Sequence, residues 1–297
     1  MIFDVLVVGG GLSGMVIAQR LASVSNLHWK LLEARSVLGG RLANDDANLD
    51  IDLGGAWIWP EHQPKVSSLA KSLGIGTFLQ PGDPESTRIS GGAVQFIRKL
   101  GCNIPEGRIH LNTPVKSCSL VTKPTLDSKA DTCAPTDNSL SYVEVRTTQD
   151  EIFKARHVVF AAPPKILFKQ VEFVPPLNSD KQRAMERSKT WMAGVTKIAL
   201  VYPNRFWDTR YANTGLPPGS GPAFQMYDSS TKDPNRTAAL TFFTLVPSET
   251  PAYDDNNMLA KMVAQQLESI WHIMRQPVSI VVNFCTAGLF LFRFVLF

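Results

Sequence analysis

The sequence lacks the patterns that mark several large functional classes. Its four cysteines and five histidines are scattered, with no C-x-x-C pair and no ligand spacing, so no metal site is predicted. The net charge is only +4, and no basic cluster alternates with aromatic residues, which argues against a nucleic-acid partner. No Ser/His/Asp or Cys/His pattern indicates a catalytic nucleophile.

A secretory signal is also missing. The first predicted strand begins at residue 3, so we expect no cleavable presequence, and the scattered cysteines indicate a reducing compartment. We therefore predict an intracellular, cytoplasmic protein. The 297 residues, with 44% hydrophobic and 19% charged side chains, are typical of a globular chain with one large domain or two. No sequence feature indicates an oligomeric state.

The most informative pattern lies near the N-terminus. The apolar run Phe3–Val8 leads directly into Gly9-Gly10-Gly11-Leu12-Ser13-Gly14, a G-x-G-x-x-G sequence, and Glu33 follows a second apolar run, Trp29–Leu32. A strand, a glycine turn, a helix and an acidic residue about 20 positions further on are typical of a dinucleotide-binding unit. The alternative is an ordinary glycine turn in an α/β protein.

Each part of this pattern has a physical role in the predicted site. Gly9 permits the tight turn, Gly11 lets the backbone approach a pyrophosphate, and Gly14 lets the helix pack closely on the strand. The helix N-terminus at Leu12-Ser13 offers N–H groups and partial positive charge to the phosphates. Glu33 is expected to accept hydrogen bonds from ribose hydroxyls.

Hydrophobic periodicity and turn residues predict the remaining elements. The predicted helices are Leu12–Ser23, Val66–Leu73, Gly92–Leu100, Ser179–Ser188 and Met258–Met274. The predicted strands after the first two are Ile109–Leu120, Ser141–Thr147, one or two within Glu151–Ala162, Val195–Tyr202 and Ala238–Leu245.

The last stretch, Val278–Phe297, differs from the rest because its only charged residue is Arg293. Its length and apolarity meet the threshold of about 18–20 residues for a membrane-spanning helix. It lacks the flanking Lys/Arg clusters and Trp/Tyr belts that fix real spans. Three interpretations stay open: a C-terminal membrane anchor, a buried core element, or a non-native tail from an incorrectly joined reading frame.

Further motifs follow the N-terminal pattern in a fixed order. They are Leu32-Glu33-Ala34-Arg35, Leu38-Gly39-Gly40-Arg41, Asp52-Leu53-Gly54-Gly55-Ala56-Trp57-Ile58, Arg88-Ile89-Ser90-Gly91-Gly92, Thr113-Pro114-Val115, His157–Pro164, Trp191-Met192 with Thr196-Lys197, and Arg205-Phe206-Trp207. With them the sequence resembles the flavin-containing amine oxidases, which include monoamine, polyamine and L-amino-acid oxidases. The resemblance runs from about residue 3 to about residue 276.

The resemblance implies an α/β fold: a Rossmann-like FAD-binding domain of the GR2 type with an interleaved α+β substrate domain, the latter incomplete. It assigns residues 1–60 and 88–165 to the FAD-binding domain, 61–87 and 166–276 to the substrate domain, and 277–297 to a separate apolar tail. Two departures suggest incompleteness. Only about a dozen residues separate Gly76 from Arg88, and nothing after Met274 resembles the family's C-terminal G-T-E…G-Y-x-x-G-A…S-G segment.

The resemblance also implies FAD as the cofactor and a set of residues that bind it. That set is Gly9, Gly11, Leu12, Ser13, Gly14, Glu33, Ala34, Arg35, Gly40, Arg41, Gly54, Gly55, Ala56, Trp57 and Val115. Arg35 and Arg41 would neutralise pyrophosphate charge, or else be solvated surface residues. The main chain of Val115 would contact the adenine. For Trp57, core packing is the alternative interpretation.

Lys197 is the predicted catalytic residue. It lies within Val195–Val201, a run that is apolar on both faces and therefore typical of a buried strand. An unpaired buried charge is expensive, so this lysine needs a partner or a function. By resemblance, it holds a water near the flavin and helps the reduced cofactor react with oxygen. The alternative is a lysine that snorkels from a strand edge.

The implied reaction is oxidation of a small-molecule amine to an imine, with oxygen as the acceptor and peroxide as the product. A related flavoprotein, of the protoporphyrinogen oxidase or desaturase type, and a truncated, catalytically silent homologue are the alternatives. Without the C-terminal flavin segment, we expect weak or no activity from the chain as written. Membrane association is expected only if the apolar tail is an anchor.

Overall fold

The protein divides into two compact units. The computed structural model describes residues 1–42, 50–122, 141–189, 192, 194–208, 212–233, 238–245, 256–272, 277–286 and 289–295. The first unit consists of Met1–Leu38 and Leu100–Lys189, and the second of Gly39–Lys99 and Thr190–Phe297. The functional domain boundaries given above stay a prediction.

The described part of the chain consists of runs of strands separated by single helices. In order, the described strands are β1 (Phe3–Val8), β2 (Trp29–Leu32), β3 (Trp57–Ile58), β4 (Thr77–Gln80), β5 (Asp83–Ile89), β6 (Ile109–His110), β7 (Val115–Val121), β8 (Tyr142–Thr147), β9 (Ile152–Phe160), β10 (Glu172–Val174), β11 (Val195–Tyr202), β12 (Thr214–Gly215), β13 (Ala223–Asp228), β14 (Ala238–Leu245), β15 (Ser279–Thr286) and β16 (Leu289–Val295). The described helices are α1 (Leu12–Ala22), α2 (Pro64–Ser72), α3 (Val94–Gly101), α4 (Pro164–Gln170), α5 (Ser179–Arg187) and α6 (Asn256–Trp271).

The first unit contains one sheet, whose described strands follow the order β10-β7-β8-β9-β1-β2-β6. Strand β1 pairs in parallel with β2 and β9, and β2 pairs in parallel with β6. Parallel strands are covered on both faces, which explains why Leu6, Val7 and Leu31 are completely buried. Helix α1 connects β1 to β2, so the predicted strand–turn–helix–strand order at the N-terminus is present.

The second unit contains an antiparallel sheet, β12-β13-β14-β11-β15-β16, and a smaller sheet, β3-β5-β4. Strand β11 lies between β14 and β15, and all its residues are buried. On one face, Ile198 and Leu200 belong to a core with Val263 of α6. On the other face, Ala199 and Val201 pack with Ile51 and Leu53. The strand is therefore buried on both faces, as its sequence predicts.

Most predicted elements begin and end within three residues of the observed ones. The predicted single strand Ile109–Leu120 is wrong, because the chain forms β6 and β7 with a turn between them. Asn112 in this turn has a φ of 54°, which strand residues do not adopt. Pro114 lacks the N–H that a ladder needs. Strands β4, β5 and β13 were not predicted, because polar residues and Pro84 mask their pattern.

The described part of the apolar stretch Val278–Phe297 does not form the helix that a membrane anchor needs. Its described part folds into β15 and β16, which pair with each other, and β15 also pairs with β11. The side chains of Ile280, Val281 and Val282 are completely buried. Of the three interpretations above, a buried core element therefore agrees with the structure of β15. In the described part of the chain, no helix is long and apolar enough to cross a membrane.

Candidate functional site

The turn between β1 and α1 requires glycine. Gly9 has a φ of +111°, and a Cβ added there would lie 2.9 Å from the carbonyl oxygen of Ala161. A Cβ added to Gly14 would lie 1.9 Å from the carbonyl oxygen of Gly9. Gly11 is the N-cap of α1, with an extended backbone. The tight turn and the close helix–strand approach predicted from these glycines are therefore present.

The N-terminus of α1 is open to an anion. No side chain caps it, and no acidic residue lies in its first turn. The first N–H groups of an α-helix have no acceptor within the helix, and the helix dipole places partial positive charge beside them. A terminus of this kind, preceded by a glycine turn, is suited to bind phosphate.

Glu33 lies beside this turn and is 6% exposed. Its Oε2 accepts a hydrogen bond from the Gly10 N–H at 2.6 Å, and its Oε1 accepts one from the Arg35 N–H at 3.0 Å. The Arg35 Nε is 3.4 Å from Oε1. The backbone of Glu33 is fixed as well. Its N–H donates to the His110 carbonyl, and its carbonyl accepts from the Thr113 N–H. An ionised carboxylate has about four acceptor positions, so capacity for hydroxyl donors remains.

The predicted binding residues divide between the two units. The first contains Gly9, Gly11, Leu12, Ser13, Gly14, Glu33, Ala34, Arg35 and Val115, and the second contains Gly40, Arg41, Gly54, Gly55, Ala56, Trp57 and Lys197. Val115 is buried at the start of β7, while Ala34 is exposed. In the second unit, the Gly55 N–H donates to the carbonyl of Arg41 at 3.0 Å, which joins the L-G-G-R and D-L-G-G motifs. The Arg41 side chain is exposed. Contact of these residues with a cofactor stays a prediction.

Lys197 is the central feature of the second unit. It is 4% exposed on β11, and its Nζ donates a hydrogen bond to the Gly54 carbonyl at 2.5 Å. The same Nζ lies 4.9 Å from the ring centroid of Trp57 and 5.1 Å from that of Phe243. Aromatic faces attract cations, and the attraction is strongest away from water. Because β11 is an inner strand of its sheet, the alternative of a lysine that snorkels from an edge is wrong.

Asp52 of the same D-L-G-G motif is a buried carboxyl group that is 3% exposed. Its Oδ1 accepts from the Ala93 N–H at 2.7 Å, whereas its Oδ2 has no hydrogen-bond partner among the described residues. Burial raises the pKa of Asp52 from 3.8 to about 6, against the lowering effect of Arg88, of the Ala93 N–H and of Lys197. The cationic neighbours therefore offset only part of the cost of desolvation.

Asp52→Asn is expected to remove a pH dependence of stability. A carboxyl whose pKa is higher in the folded state binds its proton more tightly there, so the free energy of unfolding rises as pH falls from about 7 toward 4. The gain should reach about 2–3 kcal/mol relative to the variant. Urea unfolding at pH 5, 6 and 7 measures it, with the exposed Asp180→Asn as control. Parallel pH curves for the wild type and Asp52→Asn would contradict this assignment.

Several residues around Lys197 were not predicted from the sequence. Phe243 and Tyr227 come from β14 and β13, and Gln80 from β4, so no local motif links them to the lysine. Arg88 was quoted in a motif but given no role. Its guanidinium is buried and donates to the carbonyls of Ser229 and Ser230. Trp191, quoted in another motif, lies outside the described residues.

Two family models match the sequence. The model of flavin containing amine oxidoreductases matches residues 83–283, which is more than half of the chain. The chain belongs to the flavin-containing amine oxidoreductase family. A model of NAD(P)-binding Rossmann-like domains matches residues 7–73. The amine oxidoreductase match reaches Asn283 in β15, so the family likeness extends beyond residue 276, where the motifs placed its end.

Individual relatives agree with this assignment to the amine oxidoreductases. Flavin-containing amine oxidase B of Cavia porcellus is 45% identical over 78 residues, which are 25% of this chain and 14% of the relative. Cyclohexylamine oxidase from Brevibacterium oxydans IH-35A has a TM-score of 0.69 at 16% identity, over 91% of this chain and 81% of that one. Wild-type putrescine oxidase bound to putrescine gives 0.68 at 16% identity, over 90% and 81%.

The sequence matches and the structural matches support different conclusions. The sequence match spans a small part of the curated relatives' length, and the structural likeness at low identity shows the fold. The predicted α/β architecture with a Rossmann-like part is thereby confirmed. Membership of a flavin-containing family implies FAD as the cofactor.

The residues present in this chain fit the ADP half of FAD. The glycine turn leaves no room for a Cβ at Gly9 or Gly14, and α1 presents an uncapped N-terminus. Glu33 keeps acceptor capacity beside that turn. A pyrophosphate and a ribose are the groups that such donors and such an acceptor recognise.

Proposed function

We propose that this protein is an FAD-dependent oxidoreductase that converts a small-molecule amine into an imine. Two electrons and two protons leave the amine, and molecular oxygen takes them up as hydrogen peroxide. The observation that carries the proposal is the buried Lys197, whose ammonium group is held by the Gly54 carbonyl and by the rings of Trp57 and Phe243. Burying a charge is costly, so we expect a family member that buries a cation to use it.

Residues of the first unit recognise the ADP half of the cofactor. The N-terminus of α1 would bind the phosphates through its N–H groups, and Gly11 would let the backbone approach them. The Glu33 carboxylate accepts the ribose hydroxyls. Arg35, which pairs with Glu33, balances negative charge at the same place. The main chain of Val115 would contact the adenine.

Lys197 would supply positive charge to the reduction of oxygen. FAD, when bound, supplies the two-electron oxidation of the amine. The Lys197 Nζ holds its protons at a fixed point, because the Gly54 carbonyl and two aromatic rings restrain it. A fixed cation in a site shielded from water stabilises the negative charge that develops on oxygen. Buried aromatic surface around it excludes water from the amine as well.

Glu33→Ala is expected to weaken FAD binding about tenfold. The substitution removes the acceptor for the Gly10 N–H and for the ribose, and each such hydrogen bond is worth about 0.5–1.5 kcal/mol. Titration of the purified protein with FAD, followed by flavin absorbance, measures the effect. Glu144→Ala is the matched control, because Glu144 pairs with Arg146 on β8 of the same unit. Selective uptake of NAD without uptake of FAD would refute the cofactor assignment.

The reaction is tested with the FAD-loaded protein and a panel of primary alkylamines, arylalkylamines and polyamines. Oxygen consumption and peroxide release should occur together, in a one-to-one ratio, and only with an amine present. Retention of FAD with no peroxide from any amine would leave the chain a silent homologue. Turnover of a porphyrinogen instead would favour the related flavoprotein.

A further inference from the structure

The indole of Trp57 is held by a side chain that no motif contains. Its Nε1–H donates to the Oε1 of Gln80 at 2.8 Å. Gln80 ends β4 and is 2% exposed, so the acceptor side of this hydrogen bond is shielded from water. A buried indole N–H without an acceptor is costly, and Gln80 therefore favours one orientation of the Trp57 ring.

Gln80 is itself fixed in place. Its Nε2 donates to the Oδ1 of Asn213 and to the carbonyl of Asp228, both at 2.9 Å, and more distantly to the carbonyl of Pro81 at 3.5 Å. With the Trp57 contact, its one acceptor and both donor hydrogens are used. The amide cannot rotate without breaking the three shorter hydrogen bonds, so its Oε1 is a rigid anchor for the indole.

The fixed indole forms one wall beside the Lys197 ammonium. Trp57 packs on Tyr227 at 5.1 Å and on Phe243 at 6.1 Å between ring centroids. Lys197 Nζ lies over both Trp57 and Phe243. The strength of a cation–ring contact depends on whether the cation faces the ring or its edge, so a rotated indole would hold the ammonium less firmly.

We infer that Gln80 is a positioning residue for Lys197 and acts through the indole of Trp57. Gln80 touches neither Gly54 nor the lysine in any described contact; its influence passes from its amide to the indole and from the indole to the ammonium. Its importance for turnover rests on the role proposed above for Lys197. The effect of Gln80 on the position of Lys197 does not depend on that role.

Competitive labelling of lysines with trace acetic anhydride at pH 8 tests this inference. Peptide mass spectrometry gives the labelling of Lys197 relative to the exposed Lys65 in the same molecule. In Gln80→Leu, relative labelling of Lys197 should rise at least about fivefold, because the anchored indole no longer restrains it. Trp57→Phe should act in the same direction, and the double variant should not exceed the larger single effect.

Gln266→Leu is the matched control. Gln266 is 3% exposed in the same unit and also makes three hydrogen bonds, to Ser220 and to both backbone groups of Ala223. It should lose stability as Gln80→Leu does and leave Lys197 labelling unchanged. An equal rise in this control would overturn the inference, and so would unchanged labelling in Gln80→Leu. If Gln80→Leu does not fold, Trp57→Phe decides alone by the same criterion.

The labelling experiment uses the full chain and needs neither FAD nor an amine. A positive result with no peroxide in the turnover assay would remove the proposed function and keep the positioning role of Gln80. Peroxide production with unchanged labelling would support the proposed function and remove the positioning role of Gln80.

Discussion

Replacing Lys197 with methionine is expected to slow reoxidation of the reduced cofactor by oxygen on the order of a hundredfold, the usual scale for a positioned proton-carrying group. FAD affinity should change less than about threefold, because the residues proposed to bind the ADP half lie elsewhere in the chain. Methionine keeps a long unbranched shape, so the packing of β11 is retained while the positive charge is lost. Stopped-flow absorbance after mixing reduced protein with oxygen measures the rate.

Lys154→Met is the matched control for this variant. Lys154 also lies over an aromatic ring, that of Tyr142 at 5.2 Å, but on β9 of the first unit. Its removal should leave the oxygen rate unchanged. Circular dichroism and thermal unfolding establish that both variants are folded. An unchanged oxygen rate in folded Lys197→Met would make Lys197 a structural residue that serves the D-L-G-G turn.

Gly14→Ala is expected to lower the free energy of unfolding by about 3 kcal/mol and FAD affinity more than tenfold. The added Cβ would lie 1.9 Å from the carbonyl oxygen of Gly9, so α1 must move away from the glycine turn. The displaced helix carries the N–H groups proposed to bind phosphate, which couples the loss of stability to a loss of binding. Urea unfolding and FAD titration measure the two effects.

Gly101→Ala separates this contact from the general effect of removing a glycine. A Cβ on Gly101, at the end of α3, would meet only the Cε of Met15, at 3.6 Å, an ordinary contact distance. We expect a change in stability within about 1 kcal/mol and no change in FAD affinity. If Gly14→Ala behaves like Gly101→Ala, the close approach of α1 to the turn is not what positions the phosphate site.

Local sequence patterns predicted much of the first unit. The spacing from Phe3 to Glu33 fixes a strand, a turn, a helix and a second strand, because each of these depends on residues close in sequence. The buried Lys197 could be predicted for a similar reason, since apolar residues on both sides of a strand imply that the strand is covered. The break between β6 and β7 was missed because two separate residues, Asn112 and Pro114, mark the turn within an otherwise strand-like run.

The partners of Lys197 could not be predicted from the same patterns. Gly54 lies 143 positions away from it along the chain, and Phe243 lies on a neighbouring strand. Gln80 carries no motif and acquires its role through three contacts with distant residues. Such contacts depend on strand order and register, which a single sequence does not specify.

The sequence by itself determined the glycine turn before α1, the acidic residue that follows it and the burial of a lysine on an apolar strand. Tertiary structure alone decided what surrounds that lysine and what becomes of Val278–Phe297. An apolar run loses contact with water equally well in lipid or in protein, so its composition cannot choose between them. Strand β15 pairs with β11 inside the second unit, and this pairing makes β15 part of a sheet.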